Sequence, residues 1–407
     1  MTLLAQLRRF TSEALRLLYA RRFKTLLEKI ARLSLTGGPV VRTASLIEAL
    51  DAVHKWVLLI DSAQGGGAGD AAANSAEGWL AQGASVLRLG ATSFGGLTIA
   101  LMHPGSMDPV LTGRLKSPAG LEPLAPTQIE AHTFAGFADP VAMASWLTQM
   151  VARGADLQVH WHEHFMICPT RHLLSGAHQY CGLPAIEHCA SCLPDNPHCV
   201  DPQQRQRSMQ SWRENWHGLL SAASEIRVFS NSSAALIRQA WPTLTTPINV
   251  LPHQTRTESL ARLTPTAGDG LRIGVIGRIG LHKGADRVTE LARLIEARGD
   301  ETRITVLGTL ERSAPSRTVS ETGAYQPKDL LTLCRDHRIN VFWMPSVWPE
   351  TFSFVVHEMM AMGLPVLAYD IGAQAEYLAQ YPQASLLPLD ASAREVLTAL
   401  SELAGQS

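Results

Sequence analysis

Residues 349–358 read Pro349-Glu350-Thr351-Phe352-Ser353-Phe354-Val355-Val356-His357-Glu358, and the apolar run continues to Gly363-Leu364-Pro365-Val366. Two glutamates therefore lie in an apolar segment, where a carboxylate is costly to bury unless a partner binds it. Their spacing is a little over two helical turns, since a helix has about 3.6 residues per turn. If a helix begins near Ser353, Glu358 lies on that helix and Glu350 in the loop before it. Both can then contact one ligand at the helix N-terminus, which favours an anion such as phosphate.

The overall composition is that of an ordinary globular protein. The chain has 407 residues, of which 46% are hydrophobic and 17% are charged, and this length is enough for two or three domains. A net charge of −1 gives no argument for a nucleic-acid partner. No apolar run is long enough to predict a membrane-spanning helix, and no secretory signal is visible, so we expect a cytoplasmic protein. Six cysteines are too few for a disulfide scaffold.

The N-terminal segment, residues 1–42, is predicted to be a basic amphipathic helix. Apolar residues recur at helical spacing through residues 1–36, and eight Arg and Lys residues against two Glu residues give a local charge of +6. Two interpretations stay open. The helix contacts the anionic inner face of the cell membrane, or it is a solvated helix that packs against the body of the protein.

Two successive alternations of strand and helix predict two α/β domains, at residues 43–260 and 268–407, joined by a polar linker. The predicted strands are residues 57–61, 85–89, 157–161 and 225–229 in the first domain, and 273–276, 304–307, 341–344 and 365–368 in the second. Predicted helices of the second domain cover residues 284–298 and 328–337. Residues 103–130 contain many Pro and Gly residues and predict a long loop. Two such sheets imply a cleft between domains, where ligands commonly bind.

A glycine-containing loop follows the first strand of the second domain. It reads Gly277-Arg278-Ile279-Gly280-Leu281-His282-Lys283-Gly284 and leads into a predicted helix. Arg278 offers a planar fork for phosphate oxygens, and Lys283 offers a compact charge. Alone, this loop also fits a solvated basic loop. It is not alone, because its strand and the segment of Glu350 and Glu358 share one sheet and therefore one carboxyl edge.

Together these motifs resemble the retaining glycosyltransferases of family four, which have the GT-B fold. The resemblance lies in Gly277-Arg278-(four residues)-Lys283-Gly284, Glu350-(seven residues)-Glu358 and Gly363-Leu364-Pro365-Val366. It implies two Rossmann-like parallel-sheet α/β domains that face each other across a cleft. The first domain matches more loosely, at Gly65–Gly67, His160–Glu163, Phe229-Ser230 and Leu251–His253. Met359 replaces the family's usual Ala and Ala373 its second Gly, so the sugar subsite would differ while the charged groups stay.

The resemblance implies an enzyme of bacterial cell-surface polysaccharide synthesis. It would transfer a sugar from a nucleotide-sugar to a glycan, lipid-linked or other acceptor, and would retain the anomeric configuration. The implied catalytic residues are His162, Glu350, Arg278 and Lys283. The implied donor-binding residues are Gly277, Arg278, Lys283, Thr351, Phe352, Ser353, Phe354, Glu358, Gly66 and Gly67.

Each implied role has a chemical reason. Arg278 and Lys283 would bind the diphosphate and stabilise the charge of the leaving group. Glu358 would accept hydrogen bonds from the ribose and Glu350 from the transferred sugar, since a carboxylate only accepts and hydroxyls donate. His162 would lie near the anomeric centre. No metal is required for catalysis on this reading. The alternatives are a non-catalytic GT-B protein that binds nucleotide-sugars and, for the two glutamates, a surface salt-bridge pair.

A Cys/His-rich insertion covers residues 160–199. It holds five of the six cysteines and seven of the fifteen histidines. Cys189 and Cys192 have the spacing of a zinc-binding pair, and Cys168 and Cys181 would complete a four-thiolate site. Structural zinc, free thiols and disulfides stay open as interpretations. A zinc-dependent nucleic-acid module is disfavoured, because the insertion has no basic patch.

Overall fold

The structure is a computed structural model. It describes residues 39–405 apart from 54, 63–66, 92–96, 116–120, 122–123, 200–201, 256, 258–259, 265–269, 313 and 315–316. The predicted helix in residues 1–36 and the predicted donor contact Gly66 lie outside the described residues. Within the described part of the chain, no helix combines the length and the apolar composition that crossing a bilayer requires.

The chain divides into two compact units. Unit 1 comprises Met1–Pro169, Val200–Arg227 and Trp241–Asn249, and unit 2 comprises Thr170–Cys199, Val228–Ala240 and Val250–Ser407. This division differs from the predicted linear boundaries, which assign the whole Cys/His-rich insertion to the first domain. Most of the insertion belongs to unit 2 because Leu174 lies in a unit 2 core and Tyr180 packs against that core.

An eight-stranded sheet carries unit 1. Its strands are β1 (Trp56–Ser62), β2 (Ser85–Ala91), β3 (Leu97–Met102), β4 (Leu111–Leu115), β5 (Gln128–Ala131), β6 (Asp156–His160), β7 (Glu225–Val228) and β8 (Ile248–Val250). Their spatial order is β4-β3-β2-β1-β5-β6-β7-β8. Strands β2, β1, β5, β6 and β7 pair in parallel, whereas β3 is antiparallel to both β2 and β4.

The loop predicted at residues 103–130 contains β4 and the start of β5, so this prediction is wrong in part. The reason is the weak apolar signal of these strands. β4 lies at the sheet edge, where exposed residues such as Thr112 and Arg114 alternate with buried Gly113 and Leu115. A short edge strand of this kind is hard to distinguish from a loop among the surrounding Pro and Gly residues.

The described helices between residues 39 and 240 are α1 (Thr43–Asp51), α2 (Gly67–Ala81), α3 (Pro140–Ala152), α4 (Ile186–Cys192), α5 (Met209–Ala222) and α6 (Asn231–Ala240). Local sequence explains where two of them begin. The Asp139 side chain accepts from Ala142 N at 3.1 Å, and Pro140 takes the first position of α3, where no N–H is needed. The Ser208 side chain caps α5 in the same way.

A six-stranded parallel sheet carries unit 2, in the order β11-β10-β9-β12-β13-β14. Its strands are β9 (Arg272–Ile279), β10 (Arg303–Leu310), β11 (Val319–Glu321), β12 (Val341–Met344), β13 (Val366–Tyr369) and β14 (Ala384–Leu387). Its remaining helices are α7 (Ala285–Arg298), α8 (Leu330–Asp336), α9 (Phe354–Met362), α10 (Gly372–Leu378) and α11 (Ala393–Gly405).

Two apolar cores cover the two faces of this sheet. Along β12, Val341 and Trp343 belong to the core that contains α7 and α11, whereas Phe342 and Met344 belong to the core that contains α8 and α9. A strand that is buried on both faces must be apolar at every position. The continuous apolar runs of the second domain therefore predict β9, β10, β12 and β13, whereas the short β11 and the half-buried β14 are not predicted. The crossover helices place the loops after β9, β10, β12 and β13 at one carboxyl edge.

Candidate functional site

The predicted cation Lys283 and the predicted carboxylate Glu350 meet at the carboxyl edge of the unit 2 sheet. Lys283 Nζ lies 3.3 Å from Glu350 Oε1, and the Ser346 hydroxyl donates to the same oxygen at 2.9 Å. The Glu350 side chain is only 3% exposed, so it is not part of a surface salt bridge. A buried carboxylate needs such partners, because losing its hydration is costly.

The backbone around Glu350 is held by α10. Gln374 is fully buried, accepts from Glu350 N at 3.1 Å through Oε1 and donates to Trp348 O at 2.9 Å through Nε2. Ala373 N donates to Glu350 O at 2.8 Å. Gly372 has φ +65°, and a Cβ there would overlap the backbone of Pro349 and Glu350. Glycine is therefore required where α10 approaches this loop, and the loop has a fixed conformation.

Gly284 fixes the loop that carries Lys283. It has φ +80°, and a Cβ at this position would overlap the carbonyl oxygen of Pro345. The preceding His282 ring stacks on His172 with centroids 4.1 Å apart. Burial and the neighbouring charge of Lys283 lower the pKa of His282 to about 3, so its ring is neutral. The Cys/His-rich segment of unit 2 therefore packs directly beside the Lys283 loop.

Arg278 has a different partner from Lys283. Its Nη2 atom lies 3.1 Å from Glu311 Oε1, and the Arg278 side chain is 71% exposed. The backbone places these residues together, because β9 and β10 pair in register and Glu311 N donates to Ile279 O. Sequence reasoning missed Glu311, because the strand predicted at residues 304–307 extends in the structure to Leu310, directly before Glu311.

Glu358 lies on α9, as the helix predicted from Ser353 requires. The helix begins at Phe354, and the Ser353 side chain accepts from Val356 N. Unlike Glu350, Glu358 has no hydrogen bond or ion pair recorded within the described residues. Burial raises its pKa from the ordinary value of 4.5 to about 7. Its charge also adds to the effect of burial on Cys334, whose pKa is raised to about 12.

The predicted contacts Thr351, Phe352, Ser353 and Phe354 lead into α9. Thr351 and Ser353 are buried. The first N–H groups of a helix have no acceptor within the helix, so they are available at the start of α9. The Phe352 ring stacks on His357 with centroids 4.8 Å apart. These aromatic contacts and the Ser353 cap give the helix N-terminus a fixed place at the same sheet edge as Glu350.

His162 belongs to a group of ionisable residues at the carboxyl ends of β5 and β6 in unit 1. His162 Nε2 lies 3.1 Å from His132 Nδ1, and the His132 ring stacks on His160 at 4.2 Å. Glu130 Oε2 lies 3.5 Å from His132 Nε2 and 3.8 Å from His160 Nε2. Burial opposes ionisation of Glu130, but the His132 hydrogen bond and the His160 charge outweigh it and lower its pKa to about 2.

Sequence reasoning found His162 and missed His132 and Glu130. The predicted loop at residues 103–130 hides the strand that carries them. In the structure, β5 and β6 are parallel with Ala131 opposite Val159, so the next residues of the two strands, His132 and His160, come together. Of the predicted glycine contacts, Gly67 is the first residue of α2.

The predicted zinc ligands fall into both units. Cys168 lies in unit 1, and Cys181, Cys189 and Cys192 lie in unit 2, and all four are half-buried. Burial raises the pKa of Cys181, and the nearby Cys189 and Cys192 add to this shift, so these three are neighbours. Within the described residues, however, the group that has metal-ligand spacing is His132, His160 and His162. Zinc at the four cysteines stays a prediction.

A cavity of about 530 Å³ lies within unit 2, between the Cys/His-rich segment and α7. Its lining includes Tyr180, Gly284 and Arg287. The cavity therefore adjoins the start of α7 and the loop that carries Lys283. None of Arg278, Lys283, Glu350 and Glu358 is part of the lining, so this cavity is distinct from the charged edge of the sheet.

Comparison with known protein families finds a match within unit 2. Residues 262–403 match the family model described as Glycosyl transferases group 1, which covers the charged edge of unit 2. A search of curated proteins finds no match.

Solved structures confirm the predicted GT-B fold. Sucrose-phosphate synthase from Thermosynechococcus elongatus aligns with TM-score 0.53 at 15% identity, over 86% of this chain and 91% of that chain. Anabaena HepE in complex with UDP-glucose aligns with TM-score 0.52 at 15% identity, over 86% and 89% of the two chains. A glycosyltransferase from Rickettsia africae gives TM-score 0.52 at 11% identity, over 86% and 88%. At such identities the similarity concerns the fold alone.

The raised pKa of Glu358 predicts a pH-dependent effect on stability. An acid with a pKa of about 7 in the folded state and 4.5 otherwise keeps its proton longer when folded, so it lowers stability as pH rises between these values. Glu358→Gln should therefore raise the thermal midpoint at pH 8 and leave it unchanged at pH 4. Circular dichroism at both pH values measures this. The control is Glu296→Gln, an exposed carboxylate on α7. An equal midpoint for Glu358→Gln and wild type at pH 8 would refute the prediction.

Proposed function

We propose that this protein transfers a sugar from a nucleotide-sugar donor to an acceptor, because residues 262–403 match the family model described as Glycosyl transferases group 1. The observation that carries the proposal is the buried contact between Lys283 and Glu350 at the carboxyl edge of the unit 2 sheet. This edge is where open α/β sheets bind their ligands. It combines cations for a diphosphate with carboxylates for sugar hydroxyls.

Lys283 and Arg278 supply the positive charge for the diphosphate. Lys283 forms an ion pair with the buried Glu350 side chain, whereas Arg278 is mostly exposed and forms an ion pair with Glu311. The N–H groups at the start of α9 add further donors and a favourable dipole. When the bond between sugar and phosphate breaks, negative charge develops on the leaving nucleotide. Fixed cations and N–H groups stabilise that charge, and this is where the rate enhancement would arise.

The two glutamates bind hydroxyl groups in this proposal. Glu358 is half-buried, and burial disfavours its charge. The vicinal hydroxyls of a ribose would donate two hydrogen bonds to it and would replace the water that burial removes. Glu350 already accepts from Lys283 and Ser346 through Oε1, so its remaining acceptor sites serve the transferred sugar. Fixed partners give this carboxylate one orientation toward the sugar.

The finer points of the proposal are retention of configuration, a role of His162 near the anomeric centre, and cell-surface polysaccharide synthesis. They are supported by the resemblance of the motifs to the retaining enzymes of family four. The alternative of a GT-B protein that binds a nucleotide-sugar without catalysis makes the same donor contacts. Turnover therefore distinguishes the two, and UDP-glucose, which HepE binds in its solved structure, is the first donor to test.

Removing either cation should abolish donor turnover, and Arg278→Ala should do so without unfolding the chain because this side chain is mostly exposed. We expect Lys283→Ala and Arg278→Ala to lower the rate of nucleotide-sugar hydrolysis at least about 100-fold, which corresponds to about 2.7 kcal/mol of transition-state stabilisation. The measurement is release of nucleoside diphosphate in a screen of nucleotide-sugars. The matched control is Arg312→Ala, which removes another exposed Arg that is paired with a carboxylate, Asp286. Wild-type turnover in Arg278→Ala would remove Arg278 from the diphosphate site.

The transferred sugar should keep its anomeric configuration. Proton NMR of the first product formed from an α-linked donor should show an α-linked sugar, because coupling at the anomeric proton distinguishes the two configurations. The spectrum must be recorded before mutarotation of any free sugar, and the donor itself serves as the reference. A β-linked first product would show inversion and would exclude the retaining mechanism.

The basic segment of residues 1–36 is proposed to hold a cytoplasmic enzyme at the inner face of the cell membrane, where lipid-linked acceptors are present. Its local charge of +6 supports this role. The full-length chain should sediment with anionic liposomes at low salt, and residues 37–407 alone should stay in the supernatant. Neutral liposomes are the control. Equal sedimentation of the two forms would assign the segment to packing on the protein.

A further inference from the structure

The histidine group of unit 1 has the spacing of metal ligands. His132, His160 and His162 each present one nitrogen, and these three atoms all lie within 4.8 Å of one another. The closest pair, His132 Nδ1 and His162 Nε2, is 3.1 Å apart. Two ligands on a tetrahedral ion, with metal–nitrogen bonds of about 2.0–2.1 Å, are separated by only slightly more than this. Two of the three imidazoles are buried in the structure.

A buried carboxylate lies behind two of these imidazoles. Glu130 is 3% exposed, and its Oε2 atom lies 3.5 Å from His132 Nε2 and 3.8 Å from His160 Nε2. Its other oxygen accepts from Trp79 Nε1 at 2.8 Å, which fixes its orientation. A carboxylate on this side favours the imidazole tautomer that carries the proton on Nε2. The lone pair is then on Nδ1, which in His132 is the atom that faces His162. This is the usual outer-shell arrangement behind metal-binding histidines.

A small cavity lies at the centre of the group. Its volume is about 10 Å³, which is close to the space that one water molecule or one ion needs. The cavity is lined by His132, His160, His162 and Glu163, among others. Thr133 Oγ1 donates to Glu163 Oε1 at 2.6 Å and so holds this carboxylate at the cavity wall.

We propose that His132, His160 and His162 bind one divalent first-row transition metal ion of the zinc class. Three imidazoles favour this class, because Mg²⁺ and Ca²⁺ prefer oxygen ligands. The hydrogen bond between His132 and His162 is the competing explanation, and a metal titration distinguishes the two. The proposal does not rest on the proposed sugar transfer, but both use His162. A bound ion would occupy Nε2 of His162.

Metal titration of the full-length chain tests the proposal. The protein carries Cys189→Ser and Cys192→Ser, so that the neighbouring thiolates of unit 2 do not contribute, and it is treated with a chelator. Co²⁺ is followed by visible absorption and Zn²⁺ by calorimetry. We expect one equivalent of each, with cobalt bands of a nitrogen and oxygen site and no thiolate charge-transfer band. Zn²⁺ should also raise the thermal midpoint, since an ion that binds only the folded state stabilises it.

Two variants and one control locate the ion. Glu130→Gln keeps the shape and all three ligands but removes the outer-shell charge, so it should weaken Zn²⁺ binding by about 10- to 100-fold. His132→Gln removes a ligand and should weaken binding further. His337→Gln, at the end of α8 in unit 2, should bind Zn²⁺ as the parent does. Circular dichroism reports whether each variant is folded. If His132→Gln unfolds, the Zn²⁺ affinity of Glu130→Gln tests the proposal. The proposal is overturned if the parent binds no Co²⁺, or if a folded Glu130→Gln binds Zn²⁺ with unchanged affinity.

Discussion

The buried carboxylate of Glu350 is the constraint on which the charged edge of unit 2 depends. Removing one partner from a buried ion pair typically costs about 3–5 kcal/mol, because the other charge is left without compensation. Lys283 after β9, Ser346 after β12 and Gln374 after β13 all contact this one residue. Three crossover loops are thereby tied together. The glycines at 284 and 372 are needed because these loops approach closer than a Cβ permits.

The two glutamates of the opening motif have opposite electrostatic environments, although the sequence presents them as a pair. Glu350 is nearly fully buried and is compensated by Lys283. Glu358 is less buried, has no cation partner within the described residues, and its pKa rises to about 7. A carboxylate without compensation contributes little to stability, and a perturbed pKa of this kind is common at functional sites. Glu350, in contrast, orders the loops around it.

Most of unit 2 can be predicted from the sequence, whereas unit 1 cannot be predicted to the same degree. Strands such as β12 are apolar on both faces, and the Ser353 cap and the glycines mark where elements begin and end. The contact between Lys283 and Glu350 follows from two loops at one edge. The pairing of Arg278 with Glu311 does not follow, because it depends on side-chain reach between neighbouring strands. The sequence also does not predict that residues 170–199 pack in unit 2, since few of them are apolar.

Strand register explains why the histidine group of unit 1 escapes sequence reasoning. His160 and His162 are close in sequence, but their partners Glu130 and His132 come from β5, a four-residue strand after a stretch rich in Pro and Gly. Parallel pairing of β5 with β6 brings two separate tripeptides, Glu130-Ala131-His132 and His160-Trp161-His162, to the same carboxyl edge. Alternate residues of a strand share one face of the sheet. In each unit, a buried glutamate therefore lies among ionisable residues where parallel strands end: Glu130 among the histidines of unit 1, and Glu350 beside Lys283 in unit 2.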